Sequence, residues 1–170
     1  PTAQLAAKSV EASLHTMADR FLLMRENNAF TSDTTPLEQQ QQVLDTYDSG
    51  IEFVWLGLYD SNGSLLTGSE DCPLSISGRE LFTMMEETSN LAIEDTSVGQ
   101  AGLEIAMGVP VASRRTRTVR KYLVGSYKYD VLGDVLNNIN IGESGTAFII
   151  EDDGNIIAHK DLGMVYGQDN

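Results

Sequence analysis

Ala101-Gly102-Leu103-Glu104-Ile105-Ala106-Met107-Gly108-Val109-Pro110-Val111 and Lys121-Tyr122-Leu123-Val124-Gly125-Ser126-Tyr127-Lys128-Tyr129-Asp130-Val131 decide the architecture. They read as two antiparallel strands joined by a polar loop at 112–120. Side chains alternate across a strand. Leu103, Ile105, Met107, Val109 and Val111 therefore share one face, and Glu104, Ala106, Gly108, Pro110 and Ala112 the other. A face of Ala, Gly and Pro leaves space above it, for a packed helix or for a bound molecule. In the second strand Ser126, Lys128 and Asp130 share a face, opposite Leu123, Gly125, Tyr127, Tyr129 and Val131. A lysine and an aspartate two residues apart, at the end of an otherwise apolar strand, suggest a pocket.

The elements around this pair follow in order. Residues 2–29 read as one long helix, because Ala3, Ala7, Val10, Leu14, Met17, Phe21 and Met24 recur at heptad spacing. That stripe packs on its own domain, pairs with a second subunit, or does both. Thr35, Pro36 and Glu38 form a helix start, with Thr35 as the N-cap, and that helix runs to about Tyr47. The glutamines at 39–42 read as its solvated face.

Ile51–Tyr59 is a strand with apolar residues on both sides, Phe53, Trp55 and Tyr59 against Val54, Leu56 and Leu58. Its sheet is therefore covered twice. A turn at Asp60-Ser61-Asn62-Gly63 returns the chain through 64–67. A helix at 78–89 carries Leu81, Met84 and Met85 inward, a short strand occupies 91–94, and a helix with Leu132, Val135, Leu136 and Ile139 follows Val131.

Phe148-Ile149-Ile150-Glu151-Asp152-Asp153-Gly154-Asn155-Ile156-Ile157 repeats the pattern of Leu58-Tyr59-Asp60-Ser61-Asn62-Gly63-Ser64-Leu65-Leu66, with the turn glycines 91 positions apart. A period near 90 suggests two copies of one module, the second stopping after its opening hairpin. Turn chemistry of this kind is also common enough to coincide.

Composition narrows the function. The chain has 170 residues and is 41% hydrophobic, so it is globular. Twenty-five acidic residues against eleven basic ones give a net charge of −14, which argues against nucleic-acid binding. One cysteine, Cys72, excludes an internal disulfide and any Cys-based metal cluster. No stretch is apolar enough to span a bilayer, and the start at Pro1 reads as the cut end of a longer protein. The acidic turns lack calcium-loop spacing, His15 and His159 lack ligand-spaced partners, and neither a Gly-x-Ser-x-Gly motif nor a phosphate-cradling glycine loop is present. These absences argue for no metal, no cofactor and no catalytic centre.

Two cationic features remain. Arg114-Arg115-Thr116-Arg117-Thr118-Val119-Arg120-Lys121 holds five cations in eight residues, either an exposed hairpin tip or a contact for an acidic partner or lipid surface. Arg79 begins a helix, where the dipole disfavours a cation, so it is a surface residue or a carboxylate ligand.

The ordered set resembles a Cache domain, the PAS-like extracytoplasmic sensor of bacterial chemoreceptors, histidine kinases and cyclic-di-GMP enzymes, in its double form. The resemblance runs through the long helix, Leu58–Gly63, Gly78-Arg79-Glu80-Leu81-Phe82, Met107–Val111, Leu123-Val124-Gly125 and Asp130-Val131-Leu132. It continues through 145–161, which is similar to the opening of the membrane-proximal module. It implies an α+β fold, a PAS-like antiparallel sheet covered on both faces with a long N-terminal helix (1–30). Residues 1–140 would be the membrane-distal module and 141–170 the incomplete start of the second.

The resemblance further implies a non-catalytic domain that senses a small polar or carboxylate-bearing ligand, in a membrane-anchored parent. In the amino-acid-binding subfamily an Arg-x-Trp-Tyr motif grips the ligand carboxylate and a later Asp takes the ammonium. Arg79 matches the Arg and Asp130 the Asp, while Leu81 and Phe82 replace Trp and Tyr. The expected ligand-binding set is Arg79, Phe82, Asp95, Ser126, Lys128 and Asp130. The alternative is a ligand-free module that dimerises through the N-terminal helix.

Overall fold

The computed structural model describes residues 15–50, 53–95, 104–128 and 147–158. Residues 1–14 of the expected long helix, residues 96–103, Asp130 and the helix expected after Val131 lie outside them. Helix α1 occupies 15–24, α2 is Asn28–Thr31, α3 is Leu37–Gly50 and α4 is Glu80–Thr88. The strands are β1 (Phe53–Asp60), β2 (Leu65–Gly68), β3 (Leu91–Asp95), β4 (Glu104–Ala112), β5 (Val119–Lys128), β6 (Ala147–Ile150) and β7 (Ile156–Ala158). All pair antiparallel in one sheet ordered β2-β1-β5-β4-β3-β6-β7.

The central pair behaves as its alternation dictates. Ile105, Met107, Val109 and Val111 of β4, with Leu123 and Tyr127 of β5, face the layer of α1 to α3, which contributes Ala18, Phe21, Met24, Phe30 and Leu44. Ala106 of β4 and Tyr122 and Val124 of β5 face the other way, under Leu81, Phe82, Met84 and Met85 of α4 with Cys72 and Ile76 of the preceding loop. Both faces are covered, which gives a PAS-like α+β fold. Met17, Phe21 and Met24, the described part of the heptad stripe, pack on the sheet.

Three expectations are corrected. The N-terminal helix does not run on to residue 29 or 30. It turns at 25–26, and Asn27, extended at ψ 132, caps α2 by accepting a hydrogen bond from the Ala29 N–H (2.9 Å). An asparagine side chain offers the backbone this alternative to a continued helix. Second, β1 does not alternate throughout. A bulge between Phe53 and Trp55 switches its phase, so Phe53 packs with Phe21 and Tyr127 on the helical side while Trp55 faces α4. Third, Gln40 is not solvated. It is 3% exposed, donates to the Thr35 carbonyl (2.7 Å) and accepts from Lys121 Nζ (3.0 Å).

The two hairpin turns are built alike. Gly63 N–H donates to the Asp60 carbonyl (3.0 Å) and Gly154 N–H to the Glu151 carbonyl (2.8 Å). Both glycines are left-handed, at φ +84 and +93. Acids in these turns serve the backbone: Asp60 Oδ1 accepts from the N–H groups of Asn62 and Ser64, and Asp153 Oδ1 from that of Asn155. The 147–158 hairpin extends the sheet beyond β3, with Phe148 opposite Ile93 and Ile149 opposite Ala92.

Candidate functional site

The register lines up one transverse row on the α4 side of the sheet. Trp55 stands opposite Ser126, Ser126 opposite Ala106, Ala106 opposite Glu94, and Glu94 opposite Ala147. Five strands thus present a large ring, a hydroxyl, a methyl, a carboxyl and a methyl side by side. One row further along, Gly57, Val124, Gly108, Ala92 and Ile149 are aligned in the same way. There the lid is tight: a Cβ on Gly108 would lie 3.1 Å from Met85 Sδ and Cε. The small residue is therefore used by helix packing at Gly108, and polar groups gather at the Ala106 row instead.

Arg79 overhangs that row. It is the N-cap residue of α4, extended at φ −90 and ψ 146, and its side chain makes no cap hydrogen bond. Its guanidinium carbon lies 5.9 Å from the Trp55 ring centroid, a cation–π arrangement. Arg79 Nη1 is buried without a hydrogen-bond partner among the described residues, and so is Ser126 Oγ. Buried polar atoms are normally paired, because an unpaired one carries its full desolvation cost. Two such orphans, a guanidinium donor and a hydroxyl, thus lie on one face of the sheet.

Glu94 adds an acid. Its Oε1 accepts from the Leu81 N–H in the first turn of α4, at 3.4 Å. Burial raises its carboxyl above the usual range, against the pull of that amide and of the Arg79 charge. The result is a guanidinium and a half-buried carboxyl without a salt bridge between them.

The expected residues are distributed as follows. Arg79 and Ser126 belong to this group. Phe82 is buried in the same layer, edge-on to Tyr122 at 5.0 Å between ring centroids, four residues along β5 from Ser126. Asp95 pairs with Ile105 and Lys128 with Glu104 in the strand register, and their side chains lie outside the described residues, as does Asp130. Glu94 and Trp55 were missed. The alternation that marked Ala106 and Gly108, applied to Leu91–Asp95, puts Ala92 and Glu94 on the small face and would have found the acid. Nothing in the sequence marks the bulge that turns Trp55 toward Arg79.

A twice-covered antiparallel sheet with a polar row beneath a lid helix is a PAS-like binding module. The chain belongs to the Cache domain family, of the double-Cache type, whose pattern matches residues 2–168. No curated protein sequence matches it. Solved structures do. The ligand-binding domain of the Pseudomonas aeruginosa amino-acid chemoreceptor PctC, in complex with GABA, is similar at a TM-score of 0.63 and 18% identity, over 98% of this chain and 75% of that one. The ligand-binding domain of the Pseudomonas fluorescens chemoreceptor CtaA, in complex with L-isoleucine, has a TM-score of 0.58 and 18% identity, over 98% and 72%. An extracellular ligand-binding receptor from Desulfohalobium retbaense has a TM-score of 0.63 and 13% identity; this chain covers 26% of that one, about a quarter of its length.

Proposed function

We propose that this chain is the extracytoplasmic, non-catalytic sensing part of a bacterial membrane-anchored receptor, and that the Trp55–Glu94 row takes a small carboxylate-bearing molecule. The unpartnered Arg79 Nη1 and Ser126 Oγ, buried on one face beside Glu94, carry this reading. Arg79 meets the ligand carboxylate, Ser126 donates or accepts beside it, and Glu94 faces an ammonium or hydroxyl. Trp55 and Phe82 supply apolar walls, and Lys128 and Asp130 extend the polar set, whereas Asp95, paired with Ile105 in the register, falls on the other face of the sheet. The amino-acid complexes of similarly folded chemoreceptor domains support this class of ligand. Family membership supports an extracytoplasmic place. Among the described residues no helix is long and apolar enough to cross a membrane. Ligand contact at Arg79 and Glu94 pulls on α4, and displacement of α1 across the other face carries the signal.

Native mass spectrometry of the freshly purified chain, followed by calorimetric titration with GABA, L-glutamine, L-isoleucine and simple carboxylates, tests this. A charge-assisted hydrogen bond contributes roughly 1.5–3 kcal/mol, so Arg79→Ala weakens binding about 10- to 100-fold. Identical isotherms for the parent chain, Arg79→Ala and Ser126→Ala would remove the row from the site. A second reading, a ligand-free dimerisation module, rests on Leu23, 74% exposed on α1. Concentration-dependent mass lost in Leu23→Glu, with no bound ligand, is its signature.

A further inference from the structure

A recess opens beside the β4–β5 turn and shares no residue with the Arg79–Glu94–Ser126 group. Its volume is about 500 Å3, bounded by Arg25 and Thr31 at the α1–α2 corner, Ser89 at the end of α4, and Arg114, Arg117 and Val119 of the turn.

The turn is fastened rather than loose. Ser113, 3% exposed, donates to Asp33 Oδ2 (3.0 Å) and accepts from the N–H groups of Arg115 (3.2 Å) and Thr116 (3.3 Å). The Ser113 N–H donates to the Thr118 carbonyl (2.8 Å), and the Arg117 N–H to the Ser113 carbonyl (2.7 Å). The Arg114 N–H donates to the Thr31 carbonyl (3.0 Å), tying the turn to α2. Arg117 stands at φ +62, a left-handed conformation that disfavours any side chain except glycine's hydrogen.

Charge in the recess is unbalanced. Of the turn's arginines, Arg115 is matched by Asp33, with Nε 3.2 Å from Oδ2. Arg114 and Arg117 have no carboxylate partner among the described residues. Arg25 pairs with its neighbour Glu26 at 3.5 Å, and Glu26 is the one carboxylate lining the recess among the described residues. Three arginines therefore line the recess with one acid, in a chain whose net charge is −14. Guanidinium forks match tetrahedral oxyanions, and a group with more than one negative charge is needed to balance two unmatched cations. Ser89, exposed at the end of α4, adds a hydroxyl-bearing residue to the lining.

We propose that this recess, built by Arg25, Arg114 and Arg117, binds a multivalent phosphate-class oxyanion, either free in solution or presented on a lipid headgroup. The volume exceeds that of one orthophosphate and accommodates a di- or triphosphate.

Calorimetric titration of this chain with sodium tripolyphosphate, at ionic strength held constant with NaCl, is the test for a soluble source. Sedimentation with vesicles containing phosphatidic acid, whose phosphomonoester can carry two negative charges, against phosphatidylcholine vesicles, is the test for a headgroup. The expected result is saturable binding in one arm or both, weakened at least about tenfold in the double variant R114Q/R117Q and unchanged in R79A. Arg114 and Arg117 are exposed, so the double variant keeps the fold, and its thermal melting curve checks that. Absence of binding in both arms, or binding that survives R114Q/R117Q, overturns the proposal.

Discussion

Glu94 shows what one buried side chain does to stability. Burial raises its carboxyl above the unfolded value of 4.5. Its folded pKa is raised, so the native state holds the neutral acid more readily than the unfolded chain does. Stability is fully present below pH 4.5 and is lost as pH rises through the folded pKa. Glu94→Gln removes that loss. Melting curves across pH should show the variant more stable than the parent chain at neutral pH, with the gap closing below about pH 4.5. A constant gap would mean that the carboxyl does not titrate in a buried setting. Tyr127 makes a related case on the opposite face. Its hydroxyl is buried with no partner among the described residues, and burial pushes its pKa up to about 12. An unsatisfied buried hydroxyl costs about 1–3 kcal/mol, so Tyr127→Phe should stabilise the fold by about 1 kcal/mol in urea denaturation.

The two hairpins share a turn but not its surroundings, and that separates their glycines. Gly63 is at φ +84, and an added Cβ would lie 3.0 Å from the Ser77 nitrogen, a backbone atom. Gly154 is at φ +93, and among the described residues an added Cβ would approach only His15 Nε2, at 3.6 Å. Both substitutions to alanine strain the backbone, by about 1–2 kcal/mol. Gly63→Ala adds the collision and should cost more than Gly154→Ala in a side-by-side denaturation. Equal losses would mean that the 69–79 loop yields freely around Ser77. The break between α1 and α2 is likewise local: Asn27→Ala should cost about 1 kcal/mol through the lost cap.

For the molecule as a whole, the decisive contact is between β3 and β6. The 147–158 hairpin was expected to open a second module. It lies beside β3, buries Phe148, Ile149 and Ile150, and its turn meets α1 where His15 Nε2 approaches the Gly154 carbonyl at 3.0 Å. Phe148→Ala should therefore lower the melting temperature of the entire chain in a single transition, at a cost of about 3–5 kcal/mol. A second, separate transition attributable to the hairpin would show that it folds on its own. Domain limits at 1–140 and 141–170 remain a proposal about the parent protein. Within the described residues the sheet is continuous across them.

Local periodicity determined most of this fold by itself. Strict alternation in β4 and β5, the Asn-Gly and Asp-Gly turn chemistry, the apolar stripe of α1 and the inward Leu81, Met84 and Met85 all survive folding, because each depends on residues close together in the chain. Tertiary structure decided the rest. The bulge at Val54, the burial of Gln40 against Lys121 and the row that joins Trp55, Ser126 and Glu94 depend on which strands become neighbours. So does the gathering of Arg25, Arg114 and Arg117 around one recess. Those residues come from segments far apart in sequence, and no local pattern records the register in which they meet.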